Sequence, residues 1–215
     1  MNIASVEASL DEIQSSLQLT LERRERILKE SRDVILSCSK AIVLLHSGTK
    51  KKEARAEIAR ARDLLESLRK DGVGGLARYL VSPEAEFVEA STVESIVLGR
   101  PVADARALGV SNEAYLLGLL DTVGELKRLL LVSITEGRPR KTREYFATIE
   151  ALYARLAPFA VFDNVLNGVR RKIDVARMIT EDTRRIIAEE TRRDALLSSI
   201  EGLQREMRRR GAGSS

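Results

Sequence analysis

Tyr115-Leu-Leu-Gly-Leu-Leu-Asp121-Thr-Val-Gly-Glu125-Leu-Lys-Arg128 is the stretch on which the reading of this chain turns. It lies inside a very apolar run, Tyr115 to Leu131, that holds no proline and reads as helix. Asp121 and Glu125 are four apart, so they share one helix face. Carboxylates are seldom left in apolar company without a partner. A second pair, Glu86 and Glu89 in E-F-V-E-A, is three apart and also shares a face. Packed together, the two helices would make an oxygen-rich pocket suited to a hard divalent cation. Taken alone, a Glu pair at this spacing is common on any solvated helix; the leucines around Asp121 and Glu125 are the stronger signal.

Working outward, the whole chain reads as helix. It has 215 residues, only 4 prolines and 13 glycines, 4% aromatics and no tryptophan, the makeup of a long-helix protein. Apolar residues recur at Ile3, Val6, Leu10, Ile13, Leu17, Leu21, Leu28, Ile35 and Ile42, close to a 3.5-residue repeat. The first helix is expected to run to His46, roughly 65 Å at 1.5 Å per residue. Further helices are expected over about 50–70, 75–98 (with Pro83 inside it or marking its true start), 101–109, 111–137 with Ser111 as N-cap, 139–156 from Pro139, and 164–207. That predicts an all-α, elongated seven-helix bundle in one domain over 1–210, with 211–215 a disordered tail. Helices this long seldom bury their apolar faces alone, which predicts self-association; a monomeric antiparallel bundle is the alternative.

Charge is uneven. Residues 1–71 carry 14 basic and 12 acidic side chains, 72–137 carry 5 and 9, and 138–215 carry 17 and 11. The acidic middle holds the four carboxylates. The flanks hold Lys50-Lys51-Lys52, Arg170-Arg171-Lys172, Arg184-Arg185, Arg192-Arg193 and Arg208 to Arg210. A polyanion gripped by the flanks and presented to a metal in the middle fits this layout. Plain solvated helix faces fit it too. The single histidine, His46, excludes a histidine pair for acid–base work within one subunit and is read as structural at a helix C-terminus. The single cysteine, Cys38, excludes an intramolecular disulfide and is read as core; a cytoplasmic protein with no membrane span and no signal peptide is expected. Scarce aromatics argue against base stacking, so any nucleic-acid binding should run through phosphate and sugar.

E-F-V-E-A followed by E-A-Y-L-L-G-L-L-D-T-V-G-E-L-K-R, with R-E-R-I-L-K-E-S-R-D-V-I-L-S-C-S-K-A-I-V-L-L-H upstream, resembles the translin family, and within it the translin-associated factor X branch. The resemblance covers about residues 20–200. It implies a seven-helix subunit that assembles into a hollow oligomeric barrel, commonly an octamer, around nucleic acid; a homo-oligomer follows if this chain needs no second subunit type. It also implies a Mg²⁺-dependent (or Mn²⁺-dependent) endoribonuclease whose acids match Glu86, Glu89, Asp121 and Glu125. Glu89 and Asp121 are cast as direct ligands, and Glu86 and Glu125 as ligands or water-orienting groups. RNA, or single-stranded DNA, would be met by Arg23, Arg24, Lys50, Lys51, Lys52, Arg55, Arg60 and Arg62, with Lys127 and Arg128 beside the acids. Two other readings stay open: a nucleic-acid-binding barrel with vestigial acids, and a helical scaffold for protein partners.

Overall fold

Ile27, Ser31, Val34, Cys38, Ala41 and Leu45 are buried along one stripe of the first helix, at alternating spacings of four and three. Ala54, Ile58, Ala61, Leu65 and Leu68 form the matching stripe on the second. Such 4–3 spacing keeps one seam facing a partner helix, so the two close into an antiparallel hairpin. Gly48, at φ +71°, makes the turn between them.

In this computed structural model the described residues are 4–212, and among them there are seven α-helices and no strand. They are α1 (Ala4–His46), α2 (Lys51–Arg69), α3 (Val81–Val97), α4 (Ala105–Leu108), α5 (Asn112–Thr135), α6 (Pro139–Leu156) and α7 (Val169–Ala212), with 3-10 turns at Gly74–Tyr79 and Ala157–Phe162. Among the described residues no helix is long and apolar enough to cross a membrane.

The hairpin packs on α3, α3 on α5, and α5 on both α6 and α7. Arg69 meets Glu84 and Arg55 meets Glu94, so α2 runs against α3. Asp121 meets Lys172 and Lys127 meets Asp182, so α7 runs with α5. Phe87, Val88, Val93, Val123, Leu126 and Leu130 are fully buried between the layers. Trimming one such leucine to alanine costs about 2–5 kcal/mol. Glu84, only 5% exposed, accepts from Ser111 N (3.0 Å) and Arg69 Nε (3.2 Å), tying the start of α5 to the start of α3. The acid is buried because both of its oxygens are met.

Several expectations change. The seam read from Val6 to Leu28 is exposed, with Leu17 at 64%. The buried stripe lies one residue away and starts only at Ile27, because α1 outruns the body that covers it; Ile3 lies outside the described residues. Helix α3 begins at Val81, not 75, since Gly74–Tyr79 winds as a 3-10 turn; Pro83 then sits in the first turn, where its missing N–H costs no helical bond. Residues 101–104 are irregular, and Asp104 caps α4 by accepting from Ala107 N at 2.7 Å. Helix α7 starts at Val169, not 164, and continues through Gly211 and Ala212 into the stretch expected as a tail; residues 213–215 lie outside those described. Ser111 does cap α5, accepting from Ala114 N, and Pro139 does open α6.

Candidate functional site

At Gly118, α5 packs tightly against α3. A Cβ there would lie 2.4 Å from the Ala85 carbonyl oxygen and 2.7 Å from Val88 Cβ. Only hydrogen fits. Beside this contact stand Glu86 and Glu89 on α3, one residue on from Ala85 and Val88 respectively, and Asp121 on α5, one turn on from Gly118. These three line a groove of about 650 Å³ whose other wall is Asn167, Gly168, Arg171 and Lys172, at the start of α7.

Lys172 Nζ donates to Asp121 Oδ1 and Oδ2, 2.5 Å from each. Glu125 does not line this groove. Its Oε2 accepts from His46 Nε2, and Arg128 Nη1 stands 3.9 Å away. That bond from His46, followed by the cationic pull of His46 and Arg128, holds the Glu125 carboxyl below the usual range, although burial pulls the other way. His46 Nδ1 is buried and makes no hydrogen bond.

The α3 acids have no such partner. Burial pushes the Glu89 carboxyl up to about 8, helped by the negative charges of Glu86, Asp121 and Glu125 and only partly opposed by Lys172. Burial and Asp121 push Glu86 up as well. Mutual influence of this kind places all four acids in one neighbourhood. Cys38 of α1 belongs to it too: its buried thiol is pushed up to about 12, first by desolvation and then by Glu86 and Glu89. A thiol so disposed is core, not nucleophile.

The donor set suits a hard cation. It is all oxygen, it comes from two helices held by close packing, and its acids are crowded enough to hold the Glu86 and Glu89 carboxyls above their usual range. Among the described residues, though, no three of the Asp, Glu, His and Cys side chains converge as they stand tightly enough to hold a metal. Asp121 is instead engaged by Lys172, and Glu125 by His46.

Residues 75–181, which include all four acids and Lys172, match the translin family. An uncharacterised protein of Methanocaldococcus jannaschii is 31% identical over 166 residues, covering 74% of this chain and 72% of that protein. The crystal structure of AfC3PO is 31% identical with a TM-score of 0.77, covering 86% of this chain and 98% of that one. The chain belongs to the translin family. The structure of AfC3PO in complex with duplex RNA matches equally well, at 30% identity and a TM-score of 0.77 over 86% of this chain and 98% of that one. Apo-NeC3PO, at 19% identity, TM-score 0.73 and coverage of 83% and 95%, shares the fold.

The basic residues of this translin-family chain divide into tied and open. Arg24 Nε donates to the Tyr79 hydroxyl at 3.1 Å and stacks on its ring. Arg55 pairs with Glu94 at 3.0 Å, Arg62 lies over the Phe87 ring, and Lys127 is bonded to Asp182 of α7. Lys50, Lys51, Lys52, Arg60 and Arg128 are exposed, and Arg23 is half-buried. Lys127, expected beside the acids as a phosphate contact, is thus spent on holding α7 to α5. Sequence reading missed Lys172 and Arg171 as groove residues, because nothing local says that α7 crosses Asp121. It missed His46 as the partner of Glu125 for the same reason. The signal for Lys172 was the Arg170-Arg171-Lys172 run beside an acidic middle segment.

Proposed function

We propose that this chain is a translin-family subunit that binds RNA and cuts it as a Mg²⁺-dependent endoribonuclease of the translin-associated factor X kind. One observation carries the reading: Glu86, Glu89 and Asp121, from two helices, face a groove whose opposite wall is Arg171 and Lys172. A site that must gather a cation and a phosphodiester together needs both signs of charge at this range. RNA as the ligand is supported by AfC3PO, which has been captured with duplex RNA and shares 30% of its residues with this chain.

Glu86, Glu89 and Asp121 would hold Mg²⁺, or Mn²⁺ in its place. The cation, when bound, would acidify a water and offset charge on the phosphate. The protein supplies the rest. Gly118 sets the α3–α5 spacing on which the carboxylates depend. Glu125, fixed by His46, adds negative charge nearby without lining the groove. Arg171 is exposed at the groove wall, placed to meet the RNA backbone. Contacts to phosphate and sugar would give weak sequence preference.

Self-association belongs to the same reading. Val6, Leu10, Ile13 and Leu17 on the N-terminal half of α1, and Leu196, Ile200, Leu203 and Met207 on the C-terminal part of α7, are all exposed. Apolar rows of that extent favour burial against further copies. A closed homo-oligomer, an octamer in the family pattern, would seat the groove in a chamber within the cytoplasm, each subunit being one domain over residues 1–210.

A second reading, RNA binding without cleavage, is favoured by the pairing of Asp121 with Lys172. Incubating a labelled RNA with the full chain in Mg²⁺ and in EDTA decides between them. Cleavage is expected in Mg²⁺ only, and Asp121→Asn should lower its rate about 100-fold or more. Binding with no cleavage under any divalent ion leaves the second reading; full cleavage by Asp121→Asn puts the site elsewhere.

A further inference from the structure

Lys172 is the part of the groove that the proposed reaction does not yet use. It stands in the first turn of α7, on a helix distinct from those bearing the acids, and its neighbours Val169 and Ile173 are buried. The backbone there is therefore held, while the side chain is 39% exposed and free to pivot on its four-carbon stem. Its ammonium engages both oxygens of Asp121. Its charge also opposes the upward push on Glu86 and Glu89, so it serves three acids at once. A divalent cation seated on the same carboxylates would meet an ammonium already 2.5 Å from both oxygens of Asp121, and two positive charges at such range repel and compete for them. Released from Asp121, the ammonium has the groove in front of it and Arg171 beside it.

We propose that Lys172 is an internal counter-cation of the acidic groove: it competes with the divalent ion for Asp121, and once displaced it binds an RNA phosphate. This rests on the reading of the groove as a divalent-cation site. In the metal-free protein Lys172 neutralises the site and keeps the acids from repelling one another. In the loaded protein the same charge is transferred to the substrate, so RNA is held more firmly when the cation is present.

The test uses the full chain and Mn²⁺ alone, followed by electron paramagnetic resonance, with no RNA. Lys172→Met removes the competitor and should tighten Mn²⁺ binding about fivefold, the scale of a partly exposed ion pair. Lys172→Arg should weaken it, because a guanidinium grips a carboxylate through two parallel bonds. The opposite signs keep the test decisive should the methionine variant fail to fold. RNA affinity is then read against salt by fluorescence anisotropy in the first seconds after mixing. Loss of a phosphate contact lowers the log–log salt slope by about 0.7–0.9. Lys172→Met should show that drop in Mn²⁺ and not in EDTA, where Lys172 is already tied to Asp121. If wild type binds Mn²⁺ and Asp121→Asn does not, yet both Lys172 variants match wild type in Mn²⁺ affinity and salt slope, the counter-cation is overturned while the metal site stands. If wild type and Asp121→Asn both fail to take up Mn²⁺, the metal reading falls, and this inference with it.

Discussion

The two acid pairs carry the same chemistry and experience opposite electrostatics. On α5, Asp121 has Lys172 and Glu125 has His46, each partner brought by another helix. On α3, Glu86 and Glu89 meet only other acids and a share of Lys172, and both carboxyls are pushed upward. Spacing on a helix put each pair on one face; what decided the state of each pair was the third element set against it. The α5 pair is satisfied within the subunit. The α3 acids are held back from ionising, which is where an added cation would gain most.

The largest way to break this comparison is to move the pairs apart. Gly118→Ala places a methyl inside the Ala85 carbonyl and against Val88. The helix-propensity gain of about 1 kcal/mol is outweighed by overpacking, and a net loss of about 2 kcal/mol is expected, read as a lower midpoint in urea. Unchanged stability would mean that α3 and α5 do not approach as closely as Gly118 implies.

A smaller change isolates the α3 pair. Glu89 sits at about 8 when folded against an ordinary value of 4.5, so the folded chain keeps a proton that the unfolded chain has lost across that window. Stability should therefore fall as pH rises from about 4.5 to about 8. Glu89→Gln should flatten the slope and stabilise the cation-free protein by about 1–2 kcal/mol at pH 8. A pH series of thermal melts in EDTA checks it; identical slopes would place Glu89 in water.

The α5 pair should respond with the reverse sign and more weakly. Glu125 is held below 4.5 by its bond from His46, so its contribution is present above that value and lost as pH falls through the lowered one. Glu125→Gln should cost about 1 kcal/mol at pH 7 and progressively less as pH falls through the lowered value, by the same melts. A cost independent of pH would show that shape, not charge, couples Glu125 to His46.

Much of the architecture was legible in the chain. Ser111, Pro139 and Gly48 mark helix ends through local chemistry, and those ends stand as read. The two acid pairs were legible as faces, since three- and four-residue spacing is a property of any helix. The α1 seam was misplaced by one residue because two apolar rows run along that helix and only one is covered within the subunit. Glu84, the acid buried most deeply, drew no notice: its burial depends on Arg69 and on the Ser111 amide, 15 and 27 residues away.

Helix count, caps and the grouping of acids on faces came from the sequence by itself, because each depends on residues within a turn or two of one another. Tertiary structure alone decided that α7 would bring Lys172 to Asp121, that α1 would end with His46 on Glu125, and that Glu86 and Glu89 would be left to each other. Ion pairing is a through-space energy that rises steeply at short range, so the charge state of a carboxylate belongs to whichever helix packs against it and not to the one that carries it.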